Sequence, residues 1–280
     1  MLNQTNSLSS HFGLEIHNFD IKCLLDDNNA SKTNELRTMV FNHQLLVLRD
    51  QDINPLEQIE ICKKFGNVHL HPLKKNTCKY PEMSVISNIS EDGKMLGYPG
   101  PSFPIWHSDM CYEIEPPKLT FFYAEQVPQT GGNTLFANSQ AAYKDLSNSI
   151  KTELQNRQAV FGFSEKLMKR CQQRGYQLVI DDKDKQQDVV HPIFRSNPIT
   201  NKLSIFVNWT HTDSIVDMSE AESNQYLNYL YAHSTLPIYT YSHAYRKGDL
   251  IIWDNGSTLH TGDGTTNPYQ PRIMRRVIVN

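Results

Sequence analysis

The sequence lacks the features that mark secreted, membrane-spanning or disulfide-bonded proteins. Its first residues show no basic start followed by an apolar run, and no later segment approaches the ~20 apolar residues of a transmembrane helix. The five cysteines are an odd number and none lies in a Cys-x-x-Cys pair, which argues against a disulfide framework or a zinc knuckle. We therefore expect a cytoplasmic protein with reduced thiols and no membrane partner.

A strong excess of charge is also missing. The chain has 27 Lys and Arg against 30 Asp and Glu, a net charge of -3, and a pI near 6.4. This balance provides no overall basic field for nucleic acid, so no nucleic-acid partner is predicted. Internal repeats and low-complexity linkers are absent as well, and we expect residues 1–280 to form a single catalytic domain.

Short strand patterns outnumber helical ones along the chain. Helices are predicted over 31–43, 54–66, 139–154 and 219–233. Strands are predicted over 13–20, 44–49, 68–73, 83–89, 119–125, 133–137, 189–194, 203–207, 249–253 and 272–279. The strands at 119–125 and 133–137 are expected to pair across the turn at 128–132. The predicted fold class is mainly β with flanking helices, around a two-sheet core.

Two segments interrupt this regular pattern. Residues 91–105 are rich in Gly and Pro and precede a cluster of polar residues, so we interpret them as an irregular loop that acts as a lid. Residues 164–188 are highly charged, and we expect a solvated helix followed by a polar insertion near the rim of the site.

The most informative pattern is a His-x-Asp pair, His107 and Asp109, with a second histidine, His260, far downstream. On a strand, residues two apart project to the same face, so the imidazole and the carboxylate could bind one cation. Two histidines and one carboxylate that occupy one face of an octahedron are typical of non-haem Fe(II) oxygenases. The pattern therefore predicts a metal site.

Arg272 lies beyond His260 at the start of a predicted strand, where its planar guanidinium suits a carboxylate such as that of a keto acid. Two other classes of protein remain possible from the residues alone. A jelly-roll protein can hold a metal without catalysis, and two histidines with a carboxylate also suit a metal-dependent hydrolase. A keto acid anchor has no use in either class, and no general base is evident beside the motif.

The chain resembles the taurine dioxygenase-like family of Fe(II)- and 2-oxoglutarate-dependent oxygenases, and the resemblance extends over most of its length. The shared motifs are Val47-Leu-Arg-Asp-Gln51, Phe65-Gly66, Trp106-His-Ser-Asp109, Pro116-Pro117, Thr130-Gly-Gly-Asn-Thr-Leu-Phe136, Ala141-Ala-Tyr143, His191-Pro192, Trp253-Asp-Asn255, His260 and Arg272-Ile-Met-Arg-Arg276. The resemblance implies a double-stranded β-helix, or jelly-roll, core and an oxidoreductase that releases succinate and carbon dioxide.

The same resemblance implies a role for individual residues. His107, Asp109 and His260 would hold Fe(II), Thr134 and Arg272 would bind 2-oxoglutarate, and molecular oxygen would be the second cosubstrate. Arg276 would hold the acidic group of the primary substrate and His71 would line its pocket. A surface ion pair is the alternative interpretation of Arg276. Because Asp109 is a carboxylate, hydroxylation or desaturation is favoured over halogenation.

The substrate pocket departs from the taurine-specific pattern at two positions. Phe103 stands where those relatives carry a polar residue, and Lys74 stands in place of a tyrosine. We therefore expect a small or medium anionic substrate, larger or more apolar than taurine, with Tyr98, Tyr112 and Trp209 as further candidate pocket walls. Relatives are often dimers or tetramers, so a homo-oligomer is also expected.

Overall fold

The computed structural model describes residues 4–10, 12–70, 79–99, 103–163, 165–173 and 187–280. Its strands are β1 (Thr5–Ser7), β2 (Leu14–Ile16), β3 (Leu45–Leu48), β4 (Ser84–Ser87), β5 (Ser90–Glu91), β6 (Lys94–Met95), β7 (Leu119–Gln126), β8 (Thr134–Asn138), β9 (Gln158–Phe161), β10 (Val189–Pro192), β11 (Phe194–Ser196), β12 (Leu203–Ile205), β13 (Thr212–Ile215), β14 (Thr240–His243), β15 (Leu250–Asp254), β16 (Thr258–Gly262) and β17 (Ile273–Val279). Its α-helices are α1 (Ala30–His43), α2 (Pro55–Lys63), α3 (Ser139–Lys144), α4 (Asn148–Leu154), α5 (Glu165–Gln173) and α6 (Glu220–Ser234). Short 3-10 helices cover Ile21–Leu25, Asp27–Asn29 and Pro237–Tyr239.

Two sheets form the core. A seven-stranded sheet has the order β1-β2-β3-β15-β7-β17-β4 and a three-stranded sheet has the order β14-β8-β16. A second three-stranded sheet, β10-β9-β13, and the pairs β11-β12 and β5-β6 complete the described strands. The prediction of a mainly β fold with flanking helices around a two-sheet core is confirmed.

The large sheet is covered on both faces, which explains its continuous apolar strands. In β3 and β15, Val47 and Ile251 belong to the core cluster between the two sheets, while Leu46 and Ile252 pack in the cluster that includes residues of α1 and α2. Side chains alternate between the faces of a strand, so a strand in the middle of two cores needs apolar residues at every position. Residues on the inner face of this sheet are therefore shielded from bulk water.

The helix ends follow the capping rules that the sequence suggests. Asn54 caps α2 and Ser219 caps α6, each in a capping box with the glutamate three residues later. The predicted helices at 31–43, 54–66 and 219–233 are present with boundaries within a few residues. Among the described residues, no helix combines the length and the apolar character needed to cross a membrane.

The predicted pairing of the strands at 119–125 and 133–137 is wrong. Strand β7 lies in the large sheet and β8 lies in the small one. Between them, Gly131 and Gly132 both have positive φ, at 75° and 71°. Two successive residues in this region turn the chain away from the plane of β7, and glycine adopts the conformation without a Cβ penalty. The turn thus carries the chain across the core.

The predicted helix at 139–154 is two helices. α3 ends at Lys144, and Ser147 caps α4 by accepting a hydrogen bond from the Ile150 amide. Serine competes with helical hydrogen bonds and is favoured at such a cap, which explains the break within an otherwise periodic segment.

The described part of the predicted lid is more regular than the sequence suggested. Strands β5 and β6 form a hairpin around Asp92 and Gly93, both with positive φ, as the Asp-Gly pair favours. Tyr98 then pairs with β4, because its amide donates to the Val85 carbonyl at 3.1 Å. Residues 100–102 lie outside the described residues, as do 174–186 of the predicted polar insertion; the preceding helix, α5, is present. The lid role stays a prediction.

Replacing Gly131 with alanine tests the turn between the sheets. A Cβ at Gly131 would lie 2.3 Å from the Thr265 carbonyl oxygen, whereas a Cβ at Gly93, with nearly the same φ, would meet nothing within 4 Å. We expect Gly93→Ala to cost about 1 kcal/mol through backbone strain alone, and Gly131→Ala to cost about 2 kcal/mol more through the added clash. Urea unfolding measures both, and equal losses in the two variants would contradict this account of the turn.

Candidate metal centre

A reciprocal backbone contact joins the two distant histidines. The His107 amide donates to the His260 carbonyl at 3.1 Å, and the His260 amide donates to the His107 carbonyl at 2.8 Å. This is an isolated bridge and not a strand, and the chain turns after it, with Met110 at a φ of 48°. The expectation that His107 and Asp109 share a strand is therefore wrong, since Asp109 lies in the turn.

The three predicted ligands nevertheless meet. One candidate ligand atom from each of His107, Asp109 and His260 lies within 4.8 Å of the others. The His260 Nε2 atom is 3.8 Å from the Asp109 Oδ2 atom, and Asp109 is only 3% exposed. No other such group of His, Cys, Asp or Glu is found in the part of the chain that the structure describes.

The protonation states suit a divalent cation. The His107 Nδ1 atom lies 2.8 Å from the Ile105 carbonyl oxygen, which only accepts, so Nδ1 carries the proton and Nε2 is left as a ligand. Burial lowers the pKa of His107, and burial with the nearby His107 lowers the pKa of His260 to about 3. Both imidazoles are therefore neutral, as metal ligation requires.

Asp109 is held as an anion by its neighbours. Burial by itself would raise the pKa of Asp109, but the charge of Arg276 and the Thr120 hydroxyl hold that pKa well below its usual range. The Thr120 hydroxyl donates to Asp109 Oδ2 at 2.8 Å. Two neutral imidazoles and one carboxylate form a donor set that fits Fe(II) and other divalent metals.

A buried chain of hydrogen bonds fixes that hydroxyl. Asn255 Nδ2 donates to Thr120 Oγ1 at 2.9 Å, and Trp253 Nε1 donates to Asn255 Oδ1 at 2.9 Å. Because Thr120 Oγ1 accepts from the amide, its own proton is directed to Asp109. The indole of Trp253 also packs against the ring of His260, with centroids 4.8 Å apart. This series of hydrogen-bonded side chains therefore supports both the Asp109 carboxylate and the His260 ring.

Arg276 lies at the same carboxylate. Its Nη1 atom is 2.6 Å from Asp109 Oδ1, and the side chain is 12% exposed. The surface ion pair considered from the sequence is thus a buried ion pair with a candidate metal ligand. Its Nε atom is buried and has no hydrogen-bond partner. Arg275 points to the opposite face, where its Nε lies 3.2 Å from Glu125 and its guanidinium stacks over Tyr123.

The residues predicted to bind a keto acid form a second polar group. Arg272 is 9% exposed, forms no ion pair among the described residues, and its Nε atom has no hydrogen-bond partner. Burial lowers the pKa of Arg272. The hydroxyl of Tyr245 donates to Thr134 Oγ1 at 2.8 Å, which leaves the Thr134 proton available. A Cβ at Gly132 would lie 3.3 Å from Arg272 Nε, so this glycine leaves the guanidinium accessible.

Two of the predicted pocket walls, Tyr112 and Trp209, lie against one core cluster. Tyr112 packs against His211 and Phe163, with centroids 4.7 Å and 4.5 Å apart, and His211 lies 6.4 Å from the ring of His107. Trp209 packs against the same core cluster as Tyr112, away from the large sheet.

The remaining substrate residues are less defined by the structure. Charges on Arg276 and Arg272 both act on the phenol of Tyr98, whose pKa is raised mainly by burial. Phe103 is partly buried. His71 and Lys74 lie outside the described residues, so their roles stay predictions.

Two supporting residues of the site, Thr120 and Tyr245, were missed from the sequence, as were Phe163 and His211 beside Tyr112. Thr120 was seen only as part of an apolar strand, and Tyr245 was not singled out. A polar residue in a continuous apolar strand is a usable signal for Thr120, because a buried hydroxyl needs a partner. Tyr245 offers no comparable signal, since it follows β14 in a segment without a motif.

Comparison with known proteins agrees with this geometry. The model of the taurine catabolism dioxygenase TauD, TfdA family matches residues 4–278, so the chain belongs to this family. The chain is 28% identical over 262 residues to pentalenolactone F synthase of Streptomyces arenae. This alignment covers 90% of this chain and 87% of that protein. It is 29% identical over 228 residues to the alpha-ketoglutarate-dependent 2,4-dichlorophenoxyacetate dioxygenase of a Burkholderia species. This alignment covers 78% of this chain and 75% of that protein.

A solved structure extends the comparison. The chain superposes on AAD-2 in complex with Mn(II) and N-oxalylglycine with a TM-score of 0.79 at 26% identity, over 99% of this chain and 96% of that one. The protein is therefore a 2-oxoglutarate-dependent dioxygenase with a jelly-roll core.

Removing the Thr120 hydroxyl tests the support of Asp109. We expect Thr120→Val to weaken Mn(II) binding about 10- to 100-fold, because metal affinity falls by this amount when a partner of a ligand is lost. Thr120→Ser keeps the hydroxyl and should bind within about threefold of wild type. Anaerobic Mn(II) titration by electron paramagnetic resonance measures the free metal. Equal affinity in the valine and serine variants would show that the hydroxyl does not support the site.

Proposed function

We propose that the protein is an Fe(II)- and 2-oxoglutarate-dependent dioxygenase that hydroxylates or desaturates a small or medium anionic compound. The observation that carries this proposal is the joint placement of the cluster of His107, Asp109 and His260 with a buried, unpaired Arg272. When bound, iron would activate molecular oxygen, the oxidant, with two electrons from the keto acid, which would leave as succinate and carbon dioxide. In a hydrolase or a metal-storage protein, the buried Arg272 would have no ligand carboxylate to bind.

The chain's own residues prepare this site before any ligand arrives. His107 presents Nε2 because Nδ1 is held by the Ile105 carbonyl. Asp109 keeps its orientation through Thr120 on one oxygen and Arg276 on the other. Such fixed donors avoid the cost of reorganisation at the time of reaction.

Arg272 and Thr134 would hold the distal carboxylate of 2-oxoglutarate. A buried guanidinium without a counter-ion is unfavourable, so a ligand carboxylate at this position gains a charge-assisted hydrogen bond and removes an uncompensated charge. N-oxalylglycine, which the AAD-2 structure contains, carries the same two carboxylates as 2-oxoglutarate. The Thr134 proton would add one hydrogen bond.

Arg276 would hold the acidic group of the substrate through its unpartnered Nε edge. Its Nη1 atom is already bound to Asp109, so the guanidinium connects the substrate anion to a ligand of the metal. The relative named for 2,4-dichlorophenoxyacetate acts on a carboxylate with an apolar ring. Tyr112, Phe163 and His211 form an aromatic wall near His107 that suits an apolar portion of this kind.

Anaerobic titration with Fe(II) and 2-oxoglutarate tests the proposal directly. We expect the weak visible absorption band of an iron–keto acid chelate in wild type and in His17→Ala, a histidine outside the site, and no band in His107→Ala. Absence of the band in wild type at saturating iron and keto acid would overturn the proposed function.

Replacement of Arg272 tests the keto acid anchor. We expect Arg272→Gln to raise the Kd of 2-oxoglutarate about 100-fold, because a bidentate charged pair is lost, and Arg272→Lys to give an intermediate value. The exposed Arg246 provides a matched control as Arg246→Gln. Unchanged 2-oxoglutarate affinity in Arg272→Gln would remove this residue from the binding site.

Replacement of Arg276 tests the substrate clamp. Oxygen exposure of the loaded enzyme with a panel of sulfonates, aryloxy acids and other carboxylates should reveal substrates by faster succinate release. For any compound that stimulates wild type, we expect Arg276→Gln to abolish the stimulation while the chelate band persists, since the anion loses its counter-charge. Stimulation at the wild-type substrate concentration in Arg276→Gln would show that another residue binds the anion.

A further inference from the structure

A cavity of about 760 Å³ lies between the first residues of the chain, the end of α1, helices α3 and α4 and the start of β12. Its lining includes Lys144, Lys151 and Lys202, and no aspartate or glutamate is among its described lining residues. We call it the lysine cavity. Neither Lys144 nor Lys202 forms an ion pair with any residue in the described ranges. The cavity is thus a concentration of positive charge in a protein of net charge -3.

The fold brings the three lysines to one cavity, where Lys144 and Lys202 are exposed and Lys151 is partly buried. Helix α3 packs against β12, which places Lys144 near the chain that carries Lys202. Lys151, on α4, donates to the Lys144 carbonyl at 2.7 Å and lies 5.2 Å from the centroid of the Tyr143 ring. Burial and the charge of Lys202 lower the pKa of His43, which also lines the cavity. Three lysines that line one cavity, with no acidic residue among its described lining, favour an anionic ligand there.

A buried amide provides a second, independent sign of a ligand. Asn138 Oδ1 accepts from two backbone amides at the start of α3, so its Nδ2 must donate, and it does so to Gln44 Oε1. The Gln44 amide nitrogen then donates to Gln140 Oε1 at 3.0 Å. Because the Gln140 Oε1 atom accepts from Gln44, the NH₂ group of Gln140 is the last donor of this network.

Gln140 is 8% exposed, lines the lysine cavity, and its Nε2 atom has no hydrogen-bond partner. An unsatisfied buried donor is unfavourable, and a ligand oxygen would satisfy it. A buried amide donor in a cavity that lysines also line suits an oxyanion ligand.

The lysine cavity is separate from the metal centre. Asn138 and Thr134 are at opposite ends of β8, so the cavity and the candidate keto acid anchor are about four residues, or about 13 Å, apart along the strand. The two places also differ in chemistry. Arginines, with their planar forks, lie near the metal centre, whereas the cavity contains lysines, which bind phosphate as point charges.

We propose that the lysine cavity is a second ligand site that binds a multiply charged, phosphate-bearing small molecule. The volume accommodates a ligand larger than a phosphate ion, and Phe12, Leu14 and Tyr143 provide apolar contacts for the remainder of such a ligand. This inference does not depend on the proposed function, because it involves none of the residues of the metal centre.

Isothermal titration of the metal-free protein with pyrophosphate tests the site. We expect saturable binding to wild type and to Arg272→Gln, and binding about tenfold or more weaker to the double variant Lys144→Gln/Lys202→Gln, because two of the facing charges are removed. Lys118→Gln, an exposed lysine elsewhere, is the matched control and should bind as wild type. Gln140→Glu, checked for folding by thermal unfolding, should also abolish binding by placing a negative charge in the cavity.

Three results would overturn the proposal: no pyrophosphate binding to wild type, equal binding to wild type and the double lysine variant, or binding lost in Arg272→Gln but kept in the double variant. A citrate titration identifies the class of anion. Citrate that binds as tightly as pyrophosphate would replace the phosphate assignment with a general oxyanion site, whereas at least about tenfold weaker citrate binding supports phosphate. Adenosine monophosphate that binds more tightly than inorganic phosphate would support the role of the apolar wall.

Discussion

The buried carboxylate of Asp109 is the group on which the arrangement of the site depends. A buried ionised carboxylate is tolerated only when it is paired and hydrogen-bonded, and here both oxygens are engaged. Oδ1 binds Arg276, while Oδ2 accepts from Thr120 and faces His260. Loss of one partner leaves the other charge uncompensated, so each of these side chains is constrained by the rest. The site is rigid because its charges leave few alternative arrangements.

The register of the sheets explains how such distant residues meet. Strands β7 and β17 pair with Thr120 opposite Ile278 and Arg276 opposite Phe122, so Thr120 and Arg276 lie two positions apart across neighbouring strands. On the facing sheet, β16 carries His260 opposite Phe136 of β8, and the same pair of strands ends with Gly262 opposite Thr134. The metal ligands and the keto acid anchor thus follow from one alignment of two sheets.

The sequence predicted the chemistry better than the geometry. The fold class, many of the strands and the grouping of His107, Asp109 and His260 were accessible from apolar alternation, from metal ligand types and from the resemblance to the family. Strands β9, β13, β14 and β16 were not predicted. The position of Asp109 in a turn could not be predicted, because a His-x-Asp sequence does not distinguish a continuous strand from an isolated bridge followed by a turn. The exchange of sheets between β7 and β8 was also missed, because a glycine pair suits both a hairpin and a corner.

Contacts between distant residues account for most of the remaining differences. The ion pair of Arg276 with Asp109 joins residues 167 positions apart, and nothing near either residue indicates which charge it will meet. The hydrogen bond from Tyr245 to Thr134 spans 111 positions and involves no motif. Such pairings depend on the register of the two sheets, which a single sequence specifies only through the whole pattern of burial.

The charges of the site, taken together with the proposed ligands, limit the substrate further. Both histidines are neutral, so the groups proposed to contact the metal, the keto acid and the substrate, Asp109, Arg272 and Arg276, sum to one net positive charge. A divalent metal and a doubly charged keto acid leave this balance unchanged, because their charges cancel. One positive charge then remains beside the unpartnered Nε of Arg276, and a substrate with a single negative charge neutralises it. A second negative charge would be buried near Asp109 without a counter-ion, which is unfavourable in a closed site. Under the proposed function, the same electrostatics that hold Asp109 in place therefore select a monoanion.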